Sequence, residues 1–222
     1  MKLNFLKKLL LLQVIIITFG LLFTSEPSFG QSKENSHRMQ LGVSQTFAVE
    51  RYQQQVDRLL DLIRQRLLLQ NDVARWKWNQ NSAIEAPERE QVLLAKLREQ
   101  APAYGLVPDA VSRFFQWQIF AGKLLQVNDF QTWQRKKIEF FDNVPDLNQT
   151  LRPSLDKLNP EILQALALLS PALSCSTLQQ LIQSRAQIIL QGDGIDDTVR
   201  RIVIAPLIEL KGRSCQDSRL DG

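Results

Sequence analysis

The chain has 222 residues, with 27 Lys plus Arg, 23 Asp plus Glu, one His, two Cys and nine Gly. That length suits one domain or two small ones, and a composition 44% apolar and 23% charged argues against wholesale disorder. The scarce glycines and 8% aromatic share disfavour a turn-rich all-β fold, and one His with two Cys leaves almost nothing for a His/Cys metal site or, unless His37 serves, for Ser-His-Asp catalysis. Chemistry in this chain must run on Arg, Lys, Glu, Asp and amides.

The first element is a targeting segment. Lys2, Lys7 and Lys8 precede an apolar run from Leu9 to Phe23, broken only by Gln13, Thr18 and Gly20. Ser28 and Gly30 then place small residues at the −3 and −1 positions of a cleavage site. This is the pattern of a secretory signal peptide over 1–30, and the apolar run is short for a membrane span, with an uncleaved anchor as the alternative. Cleavage after Gly30 removes three Lys and Glu26, which lowers the net charge from +4 to +2. No basic stripe survives, so neither nucleic acid nor a membrane surface is expected as a partner. The mature chain is expected in the periplasm or outside the cell. An oxidising compartment would join Cys175 to Cys215. The loop so closed has about 40 residues, worth about 4 kcal/mol in the chain-entropy model. A catalytic thiol is the rival reading, disfavoured because no His follows His37.

The mature chain reads as helices only. Residues 31–48 form a polar leader carrying His37, expected to be loose. Glu50 to Trp78 reads as one long helix, with Val56, Leu59, Leu60, Ile63, Leu67, Val73 and Ala74 at three- and four-residue steps. Pro87 suits the first position of a second helix ending near Gln100. Gly105 and Pro108 mark a turn, and a third helix runs from Asp109 to about Val127. Phe130 to Leu151 is less regular and contains Pro145. Pro153 opens a helix to Leu169, Ser174 or Ser176 can cap another that ends by Gly192, and a last helix covers about Ile195 to Leu210. The expected class is all-α, a helical bundle with a disulfide-tied C-terminal part.

Polar groups stand where core residues belong. Leu59, Ile63, Arg66, Gln70, Val73 and Lys77 fall on one stripe of the first helix. Arg66 and Lys77 are almost three turns apart, about 16 Å along the axis, and project to the same side. Phe115, Ile119, Gly122 and Gln126 form a similar stripe on the third helix. A buried amide needs partners and a buried cation needs an anion, although a solvated position is the commoner fate of any one such residue. Arg89 lies in the first turn of its helix, where the dipole disfavours a cation unless an anion arrives. Pairing with Glu85, Glu88 or Glu90 is the plainer reading. Arg152, just before Pro153, is a fourth candidate. Spacing alone yields a helical protein with a possible cationic pocket for a small anion.

The run Arg66, Trp76-Lys77-Trp78 and Ile84-Glu85-Ala86-Pro87-Glu88-Arg89-Glu90 resembles the secreted, gamma-class AroQ chorismate mutases. The similarity continues through Tyr104 to Asp109, Val111 to Phe115, Gln118-Ile119, Lys123, Gln126, Trp133 and Arg152 to Asn159. It covers about residues 50–160, with 49–160 as the mutase domain and 161–222 as a C-terminal helical region. The resemblance implies an all-α homodimer of the AroQ type converting chorismate to prephenate. It carries over Arg66, Lys77, Arg89 and Arg152 as the cations and Gln126 as the residue at the ether oxygen. Lys77, Gln126 and Arg66 are then catalytic. Two positions depart from the family pattern, with Ala86 in place of Asp and Gly122 in place of Ser or Thr. Glu90 is the expected partial substitute at the former.

The implied chemistry suits the composition. An intramolecular rearrangement needs no nucleophile, proton transfer, metal or cofactor. It needs a compact substrate conformer and donors for negative charge growing on the ether oxygen. Two alternatives stand beside it. One is a non-catalytic exported helical protein that binds a small dicarboxylate. The other is a structural or partner-binding bundle in which Trp76, Trp78, Trp117 and Trp133 are core or interface.

Overall fold

A computed structural model describes residues 31–208, and of residues 31–49 only the backbone. The signal segment 1–30 and Cys215 lie outside the described residues. The chain divides into two units at residues 47 and 48, and the architecture below is that of the second. Every regular element among the described residues is helical: α1 (Gln31–Asn79), α2 (Pro87–Gln100), α3 (Pro108–Lys136), α4 (Arg152–Leu169), α5 (Ser176–Ile189) and α6 (Asp197–Ile208), with short helical turns between them. None of them is long and apolar enough to cross a membrane.

The buried stripe of α1 runs through Val56, Leu59, Leu60, Ile63 and Leu67, as its spacing predicts. These residues share one core with Leu97 of α2, Phe114 and Phe115 of α3, Ile162 and Leu163 of α4, Ile182 of α5 and Val203 of α6. α3 lies along both α2 and α6, and α5 packs on α6.

The helix ends follow from local chemistry. Pro87 and Pro108 sit in the first turns of α2 and α3, where a missing N–H costs nothing. A 3₁₀ turn, Ala101–Tyr104, follows α2 and stops at Gly105, whose φ of +69° is left-handed. α3 extends nine residues past the expected Val127 and closes at Lys137, also left-handed at φ 54°. Its last turns are held by aromatic packing. Trp133 meets Trp78 and Phe141 edge-on at centroid distances of 5.7 and 4.6 Å.

Residues 137–146 are irregular, and Asn79 ties them to the end of α1. Its Nδ2 donates to the Phe141 carbonyl at 2.8 Å and its Oδ1 accepts the Phe141 N–H at 2.9 Å. The Asp146 carboxylate then accepts the N–H groups of Asn148 and Gln149 and starts a π-helical turn, Leu147–Leu151. Leu147 and Leu151 pack on Val73 of α1, with Trp76 and Leu155 beside them. That small second core sets the start of α4, and with it Arg152.

Three expectations need correction. The segment from Gln31, expected as a loose leader, is helical in backbone. α5 is capped by the extended backbone of Cys175, and neither Ser174 nor Ser176 provides a side-chain cap. α6 begins at Asp197, with the Asp196 carboxylate accepting the Val199 N–H at 2.8 Å. Cys175 is buried and is not a free thiol.

Candidate active site

All six residues singled out from the sequence, Arg66, Lys77, Arg89, Glu90, Gln126 and Arg152, line one cavity of about 110 Å³, together with Ala86 and Gly122. Its walls come from α1, α2, α3 and the start of α4. Five basic side chains line it (Arg66, Lys77, Arg89, Lys123, Arg152) against two acidic ones (Glu90, Asp156), a surplus of three positive charges.

α1 contributes the two deepest cations, 5% and 8% exposed. Arg66 donates from Nη1 to Asn159 Oδ1 at 3.2 Å and lies 5.7 Å from the centre of the Phe115 ring. Its Nε, also buried, has no hydrogen-bond partner. Burial lowers its pKa to about 10, with Asp156 opposing and Arg89 adding to the shift. Lys77 donates from Nζ to the Ile84 carbonyl at 2.5 Å. Burial first, then the charge of Arg152, lower its pKa, against the pull of Glu90 and Glu85.

The rim is more exposed and already paired. Arg89 Nη2 meets both oxygens of Asp156 at 2.8 Å, so its partner comes from α4 and not from the neighbouring glutamates. Lys123 donates to Glu85 at 2.6 Å and to Glu90 at 3.1 Å. Burial weakens its hold on the proton, but these hydrogen bonds outweigh it and the pKa rises. Glu90 accepts from the Ala86 N–H at 3.4 Å, beside the position where no carboxylate stands. Arg152 pairs with Asn148 in the turn before it.

α3 supplies the neutral wall. Gln126, 4% exposed, donates from Nε2 to Gln70 Oε1 at 2.8 Å, and Gln70 Nε2 donates to the Arg66 carbonyl at 3.1 Å. Gln118 donates to the Val203 carbonyl at 3.0 Å. The Oε1 atoms of Gln118 and Gln126 are buried without partners, as is Arg66 Nε. Buried polar atoms are normally satisfied, so three orphans around one cavity mark a place built for a polar guest.

Sequence reasoning passed over Gln118, Lys123 and Asp156 as lining residues. The signal was available. Gln118 and Gln126 are two turns apart with Gly122 between them, and Asp156 stands one turn after Arg152.

The family model for chorismate mutase type II matches residues 53–127, a span that holds Arg66, Lys77, Arg89, Glu90 and Gln126 but not Arg152. Over 109 residues the chain is 33% identical to the secreted chorismate mutase of Mycobacterium tuberculosis, covering 49% of this chain and 54% of that protein. Over 142 residues it is 26% identical to the secreted chorismate mutase of Mycolicibacterium smegmatis, covering 64% and 78%. The chain thus spans about half the length of the first of these relatives. It also superimposes on the crystal structure of chorismate mutase from Burkholderia thailandensis with a TM-score of 0.63 and 30% identity, covering 69% of this chain and 98% of that one. With the same helical frame and that degree of identity across nearly the whole of a solved relative, the chain belongs to the type II, AroQ-type chorismate mutases.

Proposed function

We propose that this cavity binds chorismate and rearranges it to prephenate, with no covalent intermediate, acid–base step or cofactor. The observation that carries the reading is Arg66, a guanidinium buried with one N–H unpartnered in a cavity whose lining is net positive. Such a group lacks only an anion, and chorismate brings two carboxylates. Arg66, Arg89 and Arg152 grip them, since a planar guanidinium can bind a carboxylate through two parallel N–H bonds. Held at both ends, the substrate is confined to the compact conformer in which the new C–C bond can form as the C–O bond breaks. Negative charge then grows on the ether oxygen. Lys77 and Gln126 are the donors for it, and one such preorganised donor is worth about 3 kcal/mol, or about a hundredfold in rate. Glu90 and the lysine it meets complete the polar wall near Ala86.

The mature protein acts after export, in keeping with the positive start, apolar run and small-residue cleavage site of the first 30 residues. It works as a homodimer in which each subunit holds its own pocket. The deciding experiment incubates the purified, oxidised mature chain with chorismate and follows chorismate loss and prephenate gain. Turnover well above the spontaneous rate is expected. Binding of a dianionic transition-state analogue without turnover would leave only a dicarboxylate-binding protein.

A further inference from the structure

Gln70 is buried, lines the cavity and has no part in the mechanism above. Its surroundings dictate which way its carboxamide faces. The Arg66 carbonyl can only accept, so Gln70 turns Nε2 toward it, at 3.1 Å. Oε1 is left toward Gln126, which must present its own NH₂ group, and does so at 2.8 Å. One N–H of Gln126 is committed to this bond and the other remains available. A helix carbonyl thus determines, through two carboxamides in series, that Gln126 offers a donor.

The room for Gln70 exists because residue 122 has no side chain. A Cβ there would lie 3.0 Å from both Cδ and Oε1 of Gln70, so the carboxamide would have to give by a few tenths of an ångström. Gly122 stands inside α3, one turn before Gln126, where glycine weakens a helix. The close approach of Gln70 supplies the reason for a glycine there.

The geometry points to Gln70 as a positioning residue: seated over Gly122, it orients the Gln126 carboxamide so that an N–H is offered to the ether oxygen. This role rests on the function proposed above. The test is a cycle of Gln70→Ala, Gly122→Ala and the double variant, read by kcat and KM on chorismate, by melting temperature, and by the side-chain NH₂ resonances of Gln126 in the ligand-free protein. Each single variant is expected to lower kcat about tenfold with KM changed less than about threefold, because the cations that grip the carboxylates are untouched. The double variant should lose no more than the worse single one, since both act through one contact. In the Gln70→Ala background Gly122→Ala should raise the melting temperature, because Ala favours the helix and nothing is left to displace. The Gln126 resonances should shift in all three.

Additive losses, a loss confined to KM, or an unshifted Gln126 resonance would each overturn the role. Should Gln70→Ala fail to fold, Gln70→Met, close in volume and without either hydrogen bond, carries the same readings. A wild-type protein inactive on chorismate overturns the function and with it any catalytic role for Gln70. The Gln126 resonance still decides whether the clamp itself exists.

Discussion

Replacing Arg66 by Met separates what the pocket does from what holds the fold together. Burial lowers the Arg66 pKa to about 10, well below the ordinary guanidinium range. At about 1.4 kcal/mol per tenfold change in acidity, the folded state carries a penalty on the order of 3 kcal/mol for housing the charge. The sign follows from linkage. A base with a lowered folded-state pKa costs stability at every pH below about 10, and that cost is relieved only as pH rises above about 10. Met removes the charge and keeps an unbranched apolar chain. Against this gain stand the lost hydrogen bond to Asn159, which leaves a buried acceptor behind (about 1–2 kcal/mol), and the lost Phe115 contact (about 1 kcal/mol). The balance is near zero, so thermal unfolding followed by circular dichroism should place the variant within about 4 °C of the parent. Initial rates on chorismate should fall at least a hundredfold, the cost of losing one preorganised donor. A variant that keeps its rate within about tenfold would refute the site, and one that melts more than about 10 °C lower would make Arg66 a structural residue instead.

Other outcomes follow from the same groups. The value of kcat/KM should be level from about pH 6 to about pH 8, because Gln126 donates at any pH, and should fall on the alkaline side as Lys77 loses its proton. Burial and Arg152 bring that loss below the ordinary lysine range, and a profile rising steeply below about pH 6 would contradict it. Gln126→Glu should turn this level profile into one that declines as pH rises, because a carboxyl has an O–H for the ether oxygen only while protonated, and that single donor leaves the Gln70 Oε1 that now accepts from Gln126 without a bond. A pH-independent Gln126→Glu enzyme would remove Gln126 from the ether oxygen. Trp133→Ala, which empties the cluster formed with Trp78, Phe130 and Phe141, should cost about 3 kcal/mol, seen as a melting temperature lower by on the order of 10 °C.

How much of this was legible from the residues depended on whether the signal was local. α2 runs from Pro87 to Gln100 as expected, because a proline at the first position and a polar run after Leu97 are local marks. The stripe holding Arg66, Gln70 and Lys77 was legible because helical spacing fixes shared faces, and all three reach the same cavity. The end of α3 was not, because Phe130 and Trp133 pack against Trp78, which is distant in the chain. Nor was the partner of Arg89. Nearby glutamates were the local candidates, whereas Asp156 arrives from a helix 67 positions away. The cap of α5 went to backbone geometry at Cys175 although two serines flank it.

The paired hydrogen bonds between Asn79 and the Phe141 backbone act as a hasp between the end of α1 and the chain that leads into α4. On one side, two residues back along α1, stands Lys77. On the other, the chain runs through the Asp146 turn to Arg152. Two like charges that repel each other are thereby latched at a fixed separation by a neutral amide outside the cavity lining. Opening the latch would let both cations drift apart together. Asn79→Ala should therefore weaken the binding of a dianionic ligand, measured by titration, although Asn79 lies outside the cavity lining.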